Sequence, residues 1–213
     1  GATPSLTTAV LPGALARFRS AYPGIDVKLH EAGSGDLVRE LLEGLLDLAL
    51  VILPARHPSL VTTPVLKEEL VVAVGAGHPL ASRSSVAIAD LRDVPLVMFR
   101  EGYDLRATTI AACLAAGFEP RFAVEGGEMD GVLRFAAAGL GVAIVPSMVV
   151  AHGGSLRAVR ISRPALTRTV ALAHRKDRKP SRAARELMDA VGALVRSPAW
   201  LEGMPSGVTA VSA

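Results

Sequence analysis

The sequence predicts an α/β fold of two β-α-β-α-β lobes, Rossmann-like in their order and joined by two crossover strands. Three observations carry that reading. Strand-like and helix-like patterns alternate along the 213 residues. Half of the chain is apolar but only 4% is aromatic, which suits packed layers of Val, Leu and Ala. The second half also repeats the first in order and in spacing.

The first lobe opens with Gly1 to Pro4 as the end of a strand and Ser5 to Ala21 as a helix. Leu11, Leu15 and Phe18 share one face of it, and Pro12 marks its real first turn or kinks it. "IDVKLHE" alternates as a half-buried strand with Val27 and Leu29 on one side. Ser34 is placed to cap the next helix, Asp36 favours its positive end, and Leu37, Val38, Leu41 and Leu42 form the buried face. Gly44 stops that helix, and "LDLALVIL" reads as a continuous buried strand.

The second lobe repeats this plan. "PLVMF" is a strand, Asp104 to Ala116 a helix, "RFAVE" a strand, Glu128 to Ala138 a helix and "VAIVP" the closing strand. Setting Glu31 on Glu125 without gaps aligns Gly33 with Gly127, Asp36 with Asp130, Val38 with Val132, Ala49 with Ala143 and Val51 with Val145.

The repeat also settles "AAAGLGVAIVP", Ala136 to Pro146. A dinucleotide loop needs G-x-G-x-x-G after a strand and before a helix. Here the third place holds Ile144 and the order is helix, glycines, strand, so Gly139 is read as a helix terminator.

Between the units, "LVTTPVLKEELVVAVGAGHPLA" supplies two strands; after them come the strands "LRAVRI" and "RTVALAHR" and an amphipathic helix from Ser181 to Arg196. Its inward residues are Leu187, Met188, Val191, Leu194 and Val195. The crossings fall near Val74 to His78 and near Ala171 to Arg175. One lobe is then residues 1–74 with 175–196, and the other 75–174. Residues 197–213 carry no core pattern and are expected to be a mobile tail.

Ligands of open α/β lobes bind beyond the carboxyl ends of strands, where helices begin. Ser5, Thr7 and Thr8 lie at one such place, and Gly33 and Ser34 at another. From the second lobe come "REGYD", with Arg100 and Tyr103, and the pair Glu128-Met129. Free N–H groups beside hydroxyls favour a carboxylate. Glu101, Glu128 and Asp130 would repel a simple anion unless Arg100 or Arg106 offsets them, so the pattern fits a ligand with a carboxylate and a polar or cationic end.

No G-x-S-x-G elbow, Walker loop, H-E-x-x-H or paired-cysteine signature occurs, and the sequence reads as a non-enzyme with no metal site and no cofactor. His30, His57, His78, His152 and His174 are scattered without ligand spacing and read as surface or packing residues. The single Cys113 permits no internal disulfide, which favours a reducing compartment, and reads as a small core residue. No apolar run reaches the ~18 residues of a membrane span, and no signal peptide is visible at the start. The formal charge of +3 is too small for wrapping nucleic acid. Asp177 interrupts the basic run "HRKDRKPSRAAR", which reads as a solvated loop.

These residues resemble the effector-binding domain of LysR-type transcriptional regulators. The family pattern is a strand, "LLP…F…YP", then "E-x-[GS]" and a helix ending in "G-x-(L/I)-D-(L/I)-A". This sequence has Val10-Leu11-Pro12, Phe18, Tyr22-Pro23, Glu31 and Gly44-Leu45-Leu46-Asp47-Leu48-Ala49 at those places. "HPLA" at His78–Ala81 and "AAGLGVAIVP" at Ala137–Pro146 match two further landmarks, and the similarity runs from Gly1 to about Arg196.

The resemblance implies the two-lobed periplasmic-binding-protein type II-like fold, a small effector in an interlobe cleft, and a cytoplasmic homodimer or homotetramer. It also implies DNA binding only through an N-terminal helix-turn-helix that these residues lack. Ser5 and Ser34 match the hydroxyl positions of the family cleft. Ile52 stands where some dicarboxylate-binding members place an arginine, which argues against a dicarboxylate. The competing reading is a free-standing solute-binding protein of a transport system, which predicts an export signal in the parent gene; the regulator reading predicts a helix-turn-helix there.

Overall fold

Two chain crossings divide the protein into Gly1–Glu68 with Arg168–Ala213 (unit 1) and Glu69–Thr167 (unit 2). The computed structural model describes residues 1–150 and 154–211, so His152 and the last two residues lie outside the described residues. In chain order the elements are α1 (Pro4–Ala9), α2 (Leu11–Ala21), α3 (Ser34–Glu43), β1 (Ala49–Ile52), β2 (Leu60–Gly75), β3 (Ser85–Ala87), β4 (Leu96–Phe99) and α4 (Asp104–Ala115). They continue with β5 (Phe122–Gly127), α5 (Met129–Ala137), β6 (Ala143–Pro146), β7 (Leu156–Arg163), β8 (Thr167–Arg175), α6 (Arg182–Val195), α7 (Pro198–Glu202) and β9 (Thr209–Ala210).

In unit 1 the expected first helix is two helices. Val10, at φ −112°, is a turn residue between them, and Pro12 sits in the first turn of α2, where its missing N–H costs nothing. Leu11, Ala14 and Phe18 are buried on α2, which packs against α6. Leu37 and Leu41 of α3 close over Ala49, Val51 and Ala173. Ser181 caps α6, its Oγ accepting from the Ala184 N–H at 3.1 Å.

The strand expected at "IDVKLHE" reduces to one parallel bridge between Ala2 and Glu31, and Val27 and Leu29 are 37% and 47% exposed. Alternation there finds no buried face to serve. Ala2 also bridges Leu50, and β1 runs antiparallel to β8 with Ile52 opposite Val170.

In unit 2, β4 pairs in parallel with β5 and bridges Val142, while β6 and β7 run antiparallel to the second half of β2. The core is built on β4 and β6, all of whose residues are buried, with Leu91, Cys113, Val132 and Ile161 around them. α5 ends in a glycine turn as expected: Gly139 has φ +80°, with Gly139 N–H to Ala136 C=O and Leu140 N–H to Phe135 C=O, both at 3.1 Å. Gly141 allows close approach of backbones, since a Cβ there would lie 2.6 Å from the Pro95 oxygen.

The internal repeat is structural. The register that sets Glu31 on Glu125 also sets Ala2 on Leu96, and each of these bridges two neighbouring strands in parallel. It superposes the last residues of α2 and α4, Ala21 and Ala115, and of α3 and α5, Glu43 and Ala137. β1 and β6 begin at the equivalent Ala49 and Ala143.

Three boundaries differ from the sequence expectation. The segment read as two strands is one continuous β2 whose partners change: Leu66 and Lys67 pair with β9, whereas Leu70–Ala73 pair with β6. The unit boundary therefore falls at Glu68 and Glu69 rather than Val74, because pairing decides it and not the end of the apolar run. The return crossing falls at Thr167 and Arg168. Beyond Ser197 the chain is not a featureless tail, since α7 forms and β9 docks on β2 with Val208 buried. Two paired residues give no periodicity to read.

Candidate functional site

In unit 1 the residues after Ala2, after Glu31 and at the end of β1 come together because these three segments are bridged in parallel. Ser34 lies here but does not cap α3. Gly33 is the N-cap residue, with no side-chain cap bond, and the buried Ser34 hydroxyl accepts from the Ile52 N–H at 3.0 Å. The expected cap is thus a tie from helix to strand, because Ser34 already sits inside the helix. Its hydroxyl proton is unspent, and the first-turn N–H groups of α3 have no intrahelical acceptor.

Ser5 is buried in α1, and its Oγ accepts from Arg168 Nη2 at 2.7 Å. Arg168 also donates through Nε to Glu68 at 2.7 Å, and both charged residues are buried. Thr7 and Thr8 spend their hydroxyls on their own helix, donating to the Thr3 and Pro4 carbonyls at 3.2 and 3.3 Å. Thr3 Oγ1 is buried with no hydrogen-bond partner among the described residues.

Glu68 and Arg168 were missed by the sequence reading, although a signal exists. Strand period places Glu68 on one face with Leu66 and Leu70, and Arg168 with Val170 and Leu172. Opposite charges on the apolar faces of neighbouring strands β2 and β8 mark a buried pair.

In unit 2, Arg100, Tyr103 and Glu128 form one cluster. Arg100 Nε donates to Glu128 Oε1 at 2.5 Å, and the Tyr103 hydroxyl donates to Glu128 Oε2. The Arg100 guanidinium lies 5.0 Å over the Tyr103 ring, which stacks on Phe99 at 5.2 Å. Met129 is buried in the core beneath the start of α5. Two of the three acidic residues named from the sequence are offset, Glu128 by Arg100 and Asp130 by Arg134 at 2.7 Å, while Arg106 pairs with Glu125 at 3.0 Å and not with Glu101. No cluster of metal-ligating residues occurs among the described residues.

Two open hollows of unit 1 lie elsewhere. One of about 770 Å³ is lined by Leu53–Pro58, Leu60 and Thr62, and another of about 610 Å³ by Ile25–His30 and Leu45–Leu48 among others. Neither contains Ser5, Ser34 or Ile52. Volume alone does not select the strand-end residues; their unspent polar groups do.

The description "LysR substrate binding domain" matches residues 1–196. The chain belongs to the LysR substrate-binding domain family. Its similarity to solved members is close in fold: the C-terminal domain of a "probable LysR family transcriptional regulator" from Rhodococcus sp. RHA1 superposes with a TM-score of 0.80 at 28% identity, covering 90% of this chain and 96% of that one. This LysR domain therefore has the periplasmic-binding-protein type II-like fold of its relatives. It is 30% identical over 92% of its length to the "Probable hydrogen peroxide-inducible genes activator" of Mycobacterium avium, and 29% over 88% to the transcriptional dual regulator GltC of Bacillus subtilis. It spans 65% and 63% of the length of those two regulators.

The Ser34 tie gives the first expected result. Ser34→Ala and Ser34→Gly should each lose about 1–3 kcal/mol, because both leave the buried Ile52 N–H unpaired. Urea unfolding checks this: a glycine variant as stable as wild type would mean that the hydroxyl only decorates the helix start.

Proposed function

We propose that this LysR domain is the ligand-sensing part of a transcriptional regulator and that its effector is a small carboxylate. The observation that carries the reading is the family match over residues 1–196 in a chain whose relatives are regulators. The carboxylate rests on chemistry. Ser5 and Ser34 each accept from a nitrogen, so each hydroxyl keeps its proton to donate. Beside them stand the first-turn N–H groups of α3, and the cation bound to Ser5, Arg168, is engaged by Glu68. The set offers donors to an acceptor and carries no net charge.

DNA reading, dimer or tetramer assembly and a cytoplasmic location belong to this proposal for the whole regulator. No described helix is long and apolar enough to cross a membrane. Sensing requires the effector to favour one conformation over another, since equal affinity shifts nothing.

The peroxide response in the name of the Mycobacterium avium relative is not proposed for this chain. Cys113 is the single cysteine of the sequence and is buried, and burial pushes its thiol pKa up. Less thiolate means slower oxidation.

Thermal melts in the presence of a panel of small hydroxy- and amino-carboxylates test the reading. A bound carboxylate at a hundred times its Kd should add about 2.7 kcal/mol of stability. Ser5→Ala and Ser34→Ala should weaken its binding, by about 1.5–3 kcal/mol for each hydrogen bond lost to a charged group. Equal stabilisation by the matching alcohols or amides would contradict it.

A further inference from the structure

We propose that the Arg100–Tyr103 pair of unit 2 is a carboxylate site in its own right, held by Glu128 until a ligand carboxylate displaces it. The inference takes only the ligand class, a carboxylate, from the reading above, and adds the group that such a ligand must compete with in unit 2.

The geometry is that of carboxylate recognition. Each oxygen of Glu128 receives its own donor, Oε1 the Arg100 Nε and Oε2 the Tyr103 hydroxyl. The donors are held independently of Glu128. Tyr103 is 7% exposed and stacked on Phe99, and Arg100 lies over the Tyr103 ring with Nη1 donating to the Glu101 carbonyl at 3.1 Å. Both ends of the ion pair are exposed, the Arg100 side chain at 41% and Glu128 at 58%. The hydroxyl of the buried Tyr103 is therefore the fixed donor, and Arg100 is held by the Tyr103 ring and the Glu101 carbonyl.

The internal repeat points the same way. The register that sets Glu31 on Glu125 places Glu128 where unit 1 has Ser34. Glu128 is the N-cap residue of α5, yet its side chain makes no cap bond and turns to Arg100 and Tyr103 instead. An incoming carboxylate would take the same two donors. The released Glu128 would return to water at little cost and could accept from a hydroxyl or ammonium group on the same ligand. The ligand class is therefore a carboxylate carrying a hydrogen-bond donor.

Acetate is the probe, titrated into this chain with amide chemical shifts followed at residues 100–104 and 128–130. If the pair is free in about one molecule in ten, apparent affinity is about tenfold weaker than intrinsic. Glu128→Ala should therefore bind acetate about tenfold more tightly than wild type. Glu101→Ala removes a neighbouring charge without emptying the pair and should change affinity little. Adding Arg100→Ala or Tyr103→Phe to Glu128→Ala should abolish the gain.

Equal affinity in Glu128→Ala and wild type would overturn the proposal. So would an equal gain in Glu101→Ala, or no acetate binding by any variant at these residues. Carboxylate-dependent stabilisation that still depends on Ser34 would then leave the broader reading standing, and its loss as well would remove both.

Discussion

Arg168→Met, with Glu68 left in place, should lose about 3–5 kcal/mol of stability, because it takes the guanidinium away from a carboxylate at a site with no exposed surface. The pair itself is not expected to add that much. Arg168 and Glu68 both leave water to meet, and the desolvation of two charges offsets most of their attraction. Replacing both, as Glu68→Leu with Arg168→Met, should therefore recover most of the loss. Denaturant unfolding of the two single variants and the double closes the cycle. A double variant as unstable as the worse single would mean that the pair is needed as a pair. The same variants report on Ser5, whose hydroxyl is held by Arg168 at 2.7 Å.

Phe99→Ala should cost about 3–5 kcal/mol, the usual range for emptying a buried aromatic site. Phe99 is 1% exposed at the end of β4, where the strand gives way to the loop carrying Arg100 and Tyr103. Its ring supports Tyr103 by near-parallel stacking, at an interplanar angle of 11°. The loss should thus appear twice, as a lower unfolding midpoint and as a loosened Tyr103 whose hydroxyl no longer stays on Glu128. Tyrosine ring resonances separate the two effects. A destabilised protein with an undisturbed Tyr103 would show that the site does not lean on the core at this point.

Much of this was legible in the sequence, for identifiable reasons. Regular spacing revealed α3, α5 and α6, because each lays an apolar stripe on its neighbours, α3 and α5 on strands and α6 on α2. The continuous apolar runs at β1, β4 and β6 revealed strands buried on both faces. The repeat was visible because equivalent residues carry the same burden in both units, as Ala49 and Ala143 do at the starts of their strands.

Pairing partners were hidden, and the differences lie there. β2 looked like two strands because its sequence does not record where β9 gives way to β6. Alternation at Val27 and Leu29 looked like a half-buried strand, although only Glu31 is bridged.

Site residues were legible as positions and not as partners. Ser34 was placed at a helix start, but its bond runs to Ile52, eighteen residues on. Arg100, Tyr103 and Glu128 were each found, yet their joint grip on one carboxylate needs a fold that brings residues 100 and 128 together. Glu68 and Arg168 lie a hundred residues apart and carry no local motif.

Amide chemical-shift mapping of this chain with a stabilising hydroxy- or amino-carboxylate tests the central claim most directly. In unit 1 the largest shifts should fall at residues 3–6, 33–36 and 52, where hydroxyl and N–H donors are unspent. They should vanish in Ser34→Ala while the fold persists. Shifts confined to residues 54–62, around the open hollow near Arg56 and His57, with none at Ser5 or Ser34, would contradict the claim that the strand ends carry recognition.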